Sequence, residues 1–114
     1  MPQFSQRNGR FFVSYITGPS HVLLGLAFGE RPATPVLVRQ PAVGACSHGQ
    51  LDEGQILAAV LAGIAAAKHE TGRTLNPTEI IYVENDSPRY SLYQHCAYLI
   101  AQRVTNGESF DHAS

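Results

Sequence analysis

The residues best suited to chemistry stand in one run, residues 80–88, with the sequence Ile-Ile-Tyr-Val-Glu-Asn-Asp-Ser-Pro. An apolar strand leads directly into an acidic tip, and the start of a helix follows at once. Open α/β sheets bind ligands and metals at the carboxyl ends of their strands. Glu84 and Asp86 are therefore candidate ligand contacts or metal ligands.

A third carboxylate comes from a long helix predicted earlier in the chain. Helical phase places Glu53 near the large apolar face of that helix, at the end where the strand before Glu84 also terminates. Glu53, Glu84 and Asp86 could together hold a divalent cation, because such cations prefer oxygen ligands. The alternative is local: Glu53 as a first-turn helix acid, Glu84 as a solvated charge and Asp86 as a helix cap.

Other residues offer weaker candidates. Cys46, His48, His95 and Cys96 are zinc-ligand types, but their spacing is not that of a zinc finger. Cys96 falls on the apolar stripe of the second predicted helix, which indicates a buried thiol. A nucleophile built from Cys46 and His48 lacks a third group to orient the base.

Two residues follow the acidic tip directly. Arg89 and Tyr90 are candidates for an exposed contact with a base or with a partner's pocket, and among the nearby tyrosines Tyr90 is a better candidate than Tyr93. Tyr93, on the same predicted helix, is expected to pack in the core instead.

Three strands are predicted ahead of these residues. Residues 10–17 alternate in the manner of a strand, and a turn at 18–20 joins them to residues 21–28, so the two form a hairpin. Gly25 marks a bulge or a close approach. The third strand, residues 34–39, carries Pro35, which places it at a sheet edge.

Two helices and a buried strand complete the pattern. The first helix spans about residues 52–69, with a large apolar face and a small-residue face that we expect to be covered as well, and Gly72 stops it. Residues 79–84 form a buried strand. The second helix starts near Pro88 and ends at residues 106–107.

Length and composition indicate one globular domain. The 114 residues divide into a flexible leader (1–9), a domain (10–107) and a disordered tail (108–114). A net charge of −1 without a basic stripe disfavours tight non-specific binding to nucleic acid. Two cysteines and a polar amino terminus predict an intracellular, cytoplasmic protein, and the longest apolar run is too short to span a membrane.

This order of elements resembles the ribonuclease H fold, an α/β architecture with three antiparallel strands, a helix, a parallel fourth strand and a C-terminal helix. Three short motifs agree with the resemblance. Residues 15–18 match the end of the family's first strand, residues 55–62 look like its glutamate-leucine-x-alanine-alanine helix, and residues 83–87 resemble its aspartate-serine strand end.

The resemblance implies a degenerate active site. In the family, carboxylates at the three motifs hold two divalent cations. Here Thr17 and Gln55 stand at the first two positions, and only Asp86 keeps the expected type. The family's last acidic residue would lie beyond the second helix, where Asp111 is a poor substitute.

Three functions remain open. The leading hypothesis is a catalytically inactive ribonuclease H-like module without a cofactor, which binds a protein partner or a nucleic acid through the surface around Thr17, Gln55 and Asp86. The second is an atypical nuclease that uses Mg²⁺ or Mn²⁺ held by Glu53, Glu84 and Asp86. The third is a structural homo-oligomer formed through the edge strand or the alanine-rich helix face. No membrane role is expected.

Overall fold

A computed structural model describes residues 3–17, 20–32, 34–40, 51–83, 90–108 and 110–112. These residues form a small α/β domain with one mixed sheet and two helices. The strands are β1 (Gln3–Arg7), β2 (Arg10–Thr17), β3 (Ser20–Gly29), β4 (Val36–Gln40), β5 (Asn76–Val83) and the two-residue β6 (Asp111–His112). The helices are α1 (Glu53–Thr71), between β4 and β5, and α2 (Tyr90–Thr105), between β5 and β6.

The sheet combines an antiparallel meander with a β-α-β unit. Its strand order is β4-β5-β3-β2-β1-β6. The first three strands pair antiparallel in sequence, and β5 pairs antiparallel with β3. On its other side β5 pairs parallel with β4. The predicted hairpin of β2 and β3 is therefore confirmed.

The predicted third strand, residues 34–39, has a different partner from the one expected. It corresponds to β4, which lies at the sheet edge as Pro35 indicates, but it pairs parallel with β5 and does not join the antiparallel set. The physical reason is the connection: the chain leaves β4, passes through α1 and returns as β5, and such a crossover produces parallel neighbours. The third antiparallel strand is β1 instead.

The leader predicted to be flexible, residues 1–9, contains a strand. Residues Gln3–Arg7 form β1 and pair with β2 in register from Gln3 opposite Ser14 to Arg7 opposite Arg10. The two-residue turn at Asn8 (φ 51°) and Gly9 (φ 76°) has both residues in the left-handed region, as tight hairpin turns require. The sequence of β1, Gln-Phe-Ser-Gln-Arg, lacks an alternating apolar pattern, and the strand forms through backbone pairing with β2.

The tail predicted to be disordered, residues 108–114, also carries structure. Phe110 is buried at 9% exposure, and Asp111–His112 form β6, which pairs parallel with β1. Burial of the large aromatic ring of Phe110 favours the pairing of the adjacent β6 with β1.

The core lies between the two helices and one face of the sheet. It contains Val13, Val22, Leu24, Leu26, Ile56, Val60, Ile80, Tyr93 and Ile100, all fully buried. On the other sheet face, Gly25 lies between Phe12 and Ile81 in the ladder, and an added Cβ would come within 2.4 Å of the Phe12 ring. The predicted close approach at Gly25 is confirmed, whereas the irregularity of this strand occurs between Ala27 and Phe28.

Both ends of α1 are capped, and the predicted stop at Gly72 is confirmed. The Asp52 side chain accepts a hydrogen bond from the backbone N–H of Gln55, and Gly72 ends the helix in the left-handed conformation at φ 77°. Only part of the helix surface is covered, although we expected both faces to be. Leu61 is 43% exposed, and Ala58 and Ala62 are exposed as well. The second helix packs closely against α1 around Gly63.

α1 and α2 run side by side in the same direction. An added Cβ at Gly63 would lie 2.2 Å from the carbonyl oxygen of Gln94, so glycine permits this contact. Further along, the Tyr98 hydroxyl donates to the Glu70 carboxylate, and Gln102 Nε2 donates to the same carboxylate at 3.1 Å. The hydrogen bond to Glu70, followed by desolvation and by the charge of Glu70, raises the pKa of Tyr98 above its usual value of 10.

Candidate functional site

Three strands end, and both helices begin, at the same end of the sheet. β2 and β5 are each antiparallel to β3, so they share a direction, and β4 is parallel to β5. Their last residues, Thr17, Gln40 and Val83, therefore lie at one end of the sheet. Glu53 and Tyr90 open the two helices at that end. Strand ends and helix starts together form the surface at which α/β sheets bind ligands.

The first turn of α1 is tied to the start of α2. Asp52 has an extended backbone (φ −88°, ψ 111°), and its Oδ1 accepts from the Gln55 N–H at 3.2 Å. The Asp52 backbone N–H donates to the Tyr90 hydroxyl at 2.9 Å. Asp52 thus satisfies one of the free backbone donors at the helix start, and Tyr90 fixes the distance between the two helices.

Glu53 is held at the end of β5. Its Oε2 accepts a hydrogen bond from the Tyr82 hydroxyl at 2.5 Å. Tyr82 is the next-to-last residue of β5 and is buried, with 3% of its surface exposed. Glu53 therefore lies at the end of the strand, as the helical phase predicts. Because its carboxylate accepts from a buried tyrosine, Glu53 links α1 to the sheet.

The predicted metal ligands are only partly described. Glu84, Asp86 and Arg89 lie outside the described residues, so the three-carboxylate site with Glu53 stays a prediction. Among the residues that the structure does describe, no group of three metal-binding side chains comes together.

The ribonuclease H resemblance assigns Thr17 and Gln55 to two positions of the family's active site, and the structure describes them differently. The backbone of Thr17 pairs with Ser20 where β2 and β3 meet. Gln55 is exposed on the first turn of α1, so its amide faces solvent beside the end of the sheet. Gln55 is thus an accessible neutral polar side chain that a partner can reach here, beside the exposed acids Asp52 and Glu53.

Tyr90 packs against other residues and is not fully exposed. It is half-buried, its ring lies 6.2 Å from the ring of Tyr93, and its hydroxyl accepts from Asp52. The contact role proposed for Tyr90 would therefore involve only part of its ring. Tyr93 is fully buried, which confirms its predicted packing in the core.

The zinc-ligand types do not assemble in the described residues. Cys46 and His48 lie outside them, while Cys96 is fully buried, as its position on the apolar stripe predicts. His95 is exposed, with its ring at 5.5 Å from that of Tyr15 in an edge-to-face contact. Consecutive helical residues point about 100° apart, so His95 and Cys96 face different surroundings.

Sequence reasoning missed the two tyrosine contacts at this end. Nothing in the sequence pairs Tyr82 with Glu53, or Tyr90 with Asp52, because each contact joins residues at least 29 positions apart. The signal that could have found them is weaker: tyrosines placed at the end of a buried strand and at the start of a helix need a partner for their hydroxyl.

The fold and this end of the sheet define a small α/β domain with a candidate ligand surface at the strand ends. Comparison of the chain with protein-family models, curated proteins and solved structures finds no match. Neither of the two described helices has the length and apolar character needed to cross a membrane.

Proposed function

We propose that this protein is a non-catalytic binding module and that a macromolecular partner contacts the carboxyl end of its sheet. The contact surface includes the exposed first turn of α1 around Gln55, with Thr17 and Asp86 as further positions. The proposal retains the resemblance to a ribonuclease H-like domain with a degenerate active site, on the strength of the three motifs and of the long helix that precedes β5.

The observation that carries the proposal is that Asp52 and Glu53, the two acidic residues described at this end, both accept hydrogen bonds from within the protein. Asp52 caps α1, and Glu53 accepts from the Tyr82 hydroxyl. Both carboxylates therefore stabilise the helix start. Where the family has a helix glutamate, this chain has an exposed amide, Gln55, which offers a neutral donor and acceptor to a partner.

The charge of the chain favours a protein partner over a nucleic acid. The formal net charge is −1, and phosphate contacts by clustered lysines and arginines supply most non-specific affinity for nucleic acids. A weakly charged surface with exposed amides and apolar side chains is typical of protein interfaces.

Site-specific photo-crosslinking tests the binding surface. A photoreactive residue in place of Gln55 is expected to capture one partner in an extract of the source cells. The matched control is the same residue in place of Ala66, which is also exposed on α1 but about three turns away. Equal capture at both positions would contradict the proposal. Loss of the adduct on nuclease digestion would identify a nucleic acid, and its loss on proteolysis would identify a protein.

A second candidate, the metal-dependent nuclease, is favoured by one contact. The hydrogen bond from Tyr82 holds Glu53 beside the strand end that leads into Glu84 and Asp86. If the three carboxylates act together, the purified protein should cut an RNA–DNA hybrid with Mg²⁺ or Mn²⁺, and Asp86→Asn and Glu53→Gln should each abolish cutting. Glu53→Gln keeps an acceptor for Tyr82, so it separates the charge from the fold. Our proposal predicts no cutting by any of these proteins.

A third candidate, a structural homo-oligomer, rests on two exposed apolar side chains. Val36 on the edge strand β4 is 61% exposed, and Leu61 on α1 is 43% exposed. Light scattering over a range of concentrations tests it, and Val36→Lys and Leu61→Lys report which surface is used. A monomer at all concentrations would exclude this candidate.

A further inference from the structure

The outer edge of β1 is the second candidate for a binding surface, remote in the strand order from the edge formed by β4. Within the described residues, β6 pairs with β1 at two positions, Ser5 opposite Asp111 and Gln6 opposite His112. β1 itself has five residues. The pairing is parallel. β6 is the element that follows α2 in the chain. This edge therefore accepts an extended segment in a defined direction.

One aromatic ring anchors that segment. The Phe110 ring lies 4.9 Å from the ring of Phe11 and meets the ring of Phe4 edge-on at 5.9 Å. The guanidinium of Arg103 stands 4.2 Å from the centre of the Phe4 ring and 5.6 Å from that of Phe110. We call the surface formed by Phe4, Phe11 and Arg103 the aromatic seat. Apolar rings and a cation above them form a site selective for an aromatic side chain.

The segment can leave the seat without unwinding α2. The Gly107 N–H donates to the carbonyl of Val104, and the Glu108 N–H donates to that of Arg103, so the helix end is satisfied before Phe110 is reached. Short edge pairings open at much lower free energy than the core of a domain. Release of Phe110–His112 from β1 would expose the aromatic seat and the backbone hydrogen-bonding groups of Ser5 and Gln6.

We propose that the outer edge of β1 and the aromatic seat form a peptide-binding site that Phe110–His112 occupies in cis. The occupant that fits is an extended segment of a partner protein with an aromatic residue for the seat, followed by two residues that pair parallel with Ser5 and Gln6. Binding by strand addition uses backbone hydrogen bonds for affinity and the seat for specificity. The cis segment is a model of this ligand, and it regulates the site by competing with it.

The cis segment outcompetes the same segment of a second copy. A tethered segment has an effective concentration in the millimolar range, far above that of another chain at micromolar protein concentration. A partner binds only the open fraction, so its apparent affinity is reduced by that fraction.

A labelled peptide with the sequence of residues 108–114, Glu-Ser-Phe-Asp-His-Ala-Ser, provides the probe. Its binding to full-length wild type and to full-length Phe110→Ala is measured by fluorescence anisotropy. Removal of the anchor frees the site, so Phe110→Ala should bind the peptide about 10-fold or more tighter than wild type. Phe110→Leu, which keeps an apolar but not an aromatic anchor, should bind the peptide with an affinity between those of wild type and Phe110→Ala. A peptide with alanine in place of its phenylalanine should bind neither protein.

Hydrogen exchange and light scattering complete the test. In Phe110→Ala, amide protection should fall at the β1 edge and stay unchanged in β5, which shows that the fold persists. Adding Phe4→Ala to Phe110→Ala should abolish peptide binding. If the folded Phe110→Ala protein does not bind the peptide, or binds the alanine peptide equally well, the proposal is wrong. A wild-type dimer that the peptide dissociates would also overturn it, because the occupant would then be a second copy.

Discussion

The contact between α1 and α2 and the contact between β1 and β6 hold the molecule together by different means. The helices meet along most of their length, with Gly63 against the backbone of α2 and a hydrogen-bonded contact at each end. In the described part of the chain, β6 pairs with β1 at two positions, and the ring of Phe110 packs beside this pairing. The helix contact has backbone atoms on one side and leaves no room to adapt, whereas the strand contact is short and is anchored by the Phe110 side chain.

Gly63→Ala should have the largest effect, because the new methyl group would stand 2.2 Å from a backbone carbonyl. The helices would have to separate, at a cost of about 2–3 kcal/mol in the free energy of unfolding. Urea denaturation measures this. Gly54→Ala is the matched control on the same helix: its Cβ would stand 3.2 Å from the exposed Asp52 Oδ1, and a shift of a few tenths of an ångström in that capping side chain relieves the contact, so its stability should stay within about 1 kcal/mol of wild type. Equal losses in the two variants would refute a tight helix contact.

Phe110→Ala should rank second, with a loss of roughly 1–2 kcal/mol from one ring that lies at the edge of the domain. The loss should be local: protection from hydrogen exchange should fall at Ser5 and Gln6 and persist at Ile80 and Ile81. Exchange measured by mass spectrometry on short fragments separates these regions. A uniform loss of protection would mean that the β1–β6 contact is part of the cooperative core.

Tyr82→Phe removes the hydrogen bond that joins the start of α1 to the end of β5. Because solvent can reach the Glu53 carboxylate and satisfy it, the expected cost is only about 1 kcal/mol. A double-mutant cycle with Glu53→Ala measures the pair directly by urea denaturation. Additive losses would show that the two side chains are not coupled.

The smallest effect concerns Tyr98, at the other end of the helix contact. Its pKa is raised chiefly by the hydrogen bond to Glu70, so its hydroxyl should ionise above pH 10 in absorbance titrations. A raised folded-state pKa means that this contribution to stability is complete below the unfolded pKa, near 10, and is lost as the pH rises through the folded value. Glu70→Gln should return the titration of Tyr98 toward 10. An unchanged titration would exclude the Glu70 contact.

The candidate site could be anticipated in part. The position of Glu53 at the end of β5 follows from helical phase, and the exposure of Gln55 follows from its place in the first turn. The use of Glu53 as an acceptor for Tyr82 could not be anticipated, since it depends on the packing of a helix against a strand nearly thirty residues away. The aromatic seat is similar: Phe4, Phe11, Phe110 and Arg103 come together only when the sheet is complete.

What the sequence determined by itself is local order. Gly72 marks the end of α1, the alternation of residues 10–17 indicates β2, and the apolar run before Val83 indicates β5, because each signal acts within a few residues of the element that it defines. These elements agree with prediction in type and within a few residues in extent.

Only the tertiary structure decided which strands are neighbours. β1 and β6 contain few apolar residues and form because an adjacent strand offers unpaired backbone groups, a property of the partner and not of their own sequence. β4 takes its parallel place beside β5 because α1 must cover the sheet between them. Long-range pairing depends on the shape of the whole core, and a local pattern carries no record of that shape.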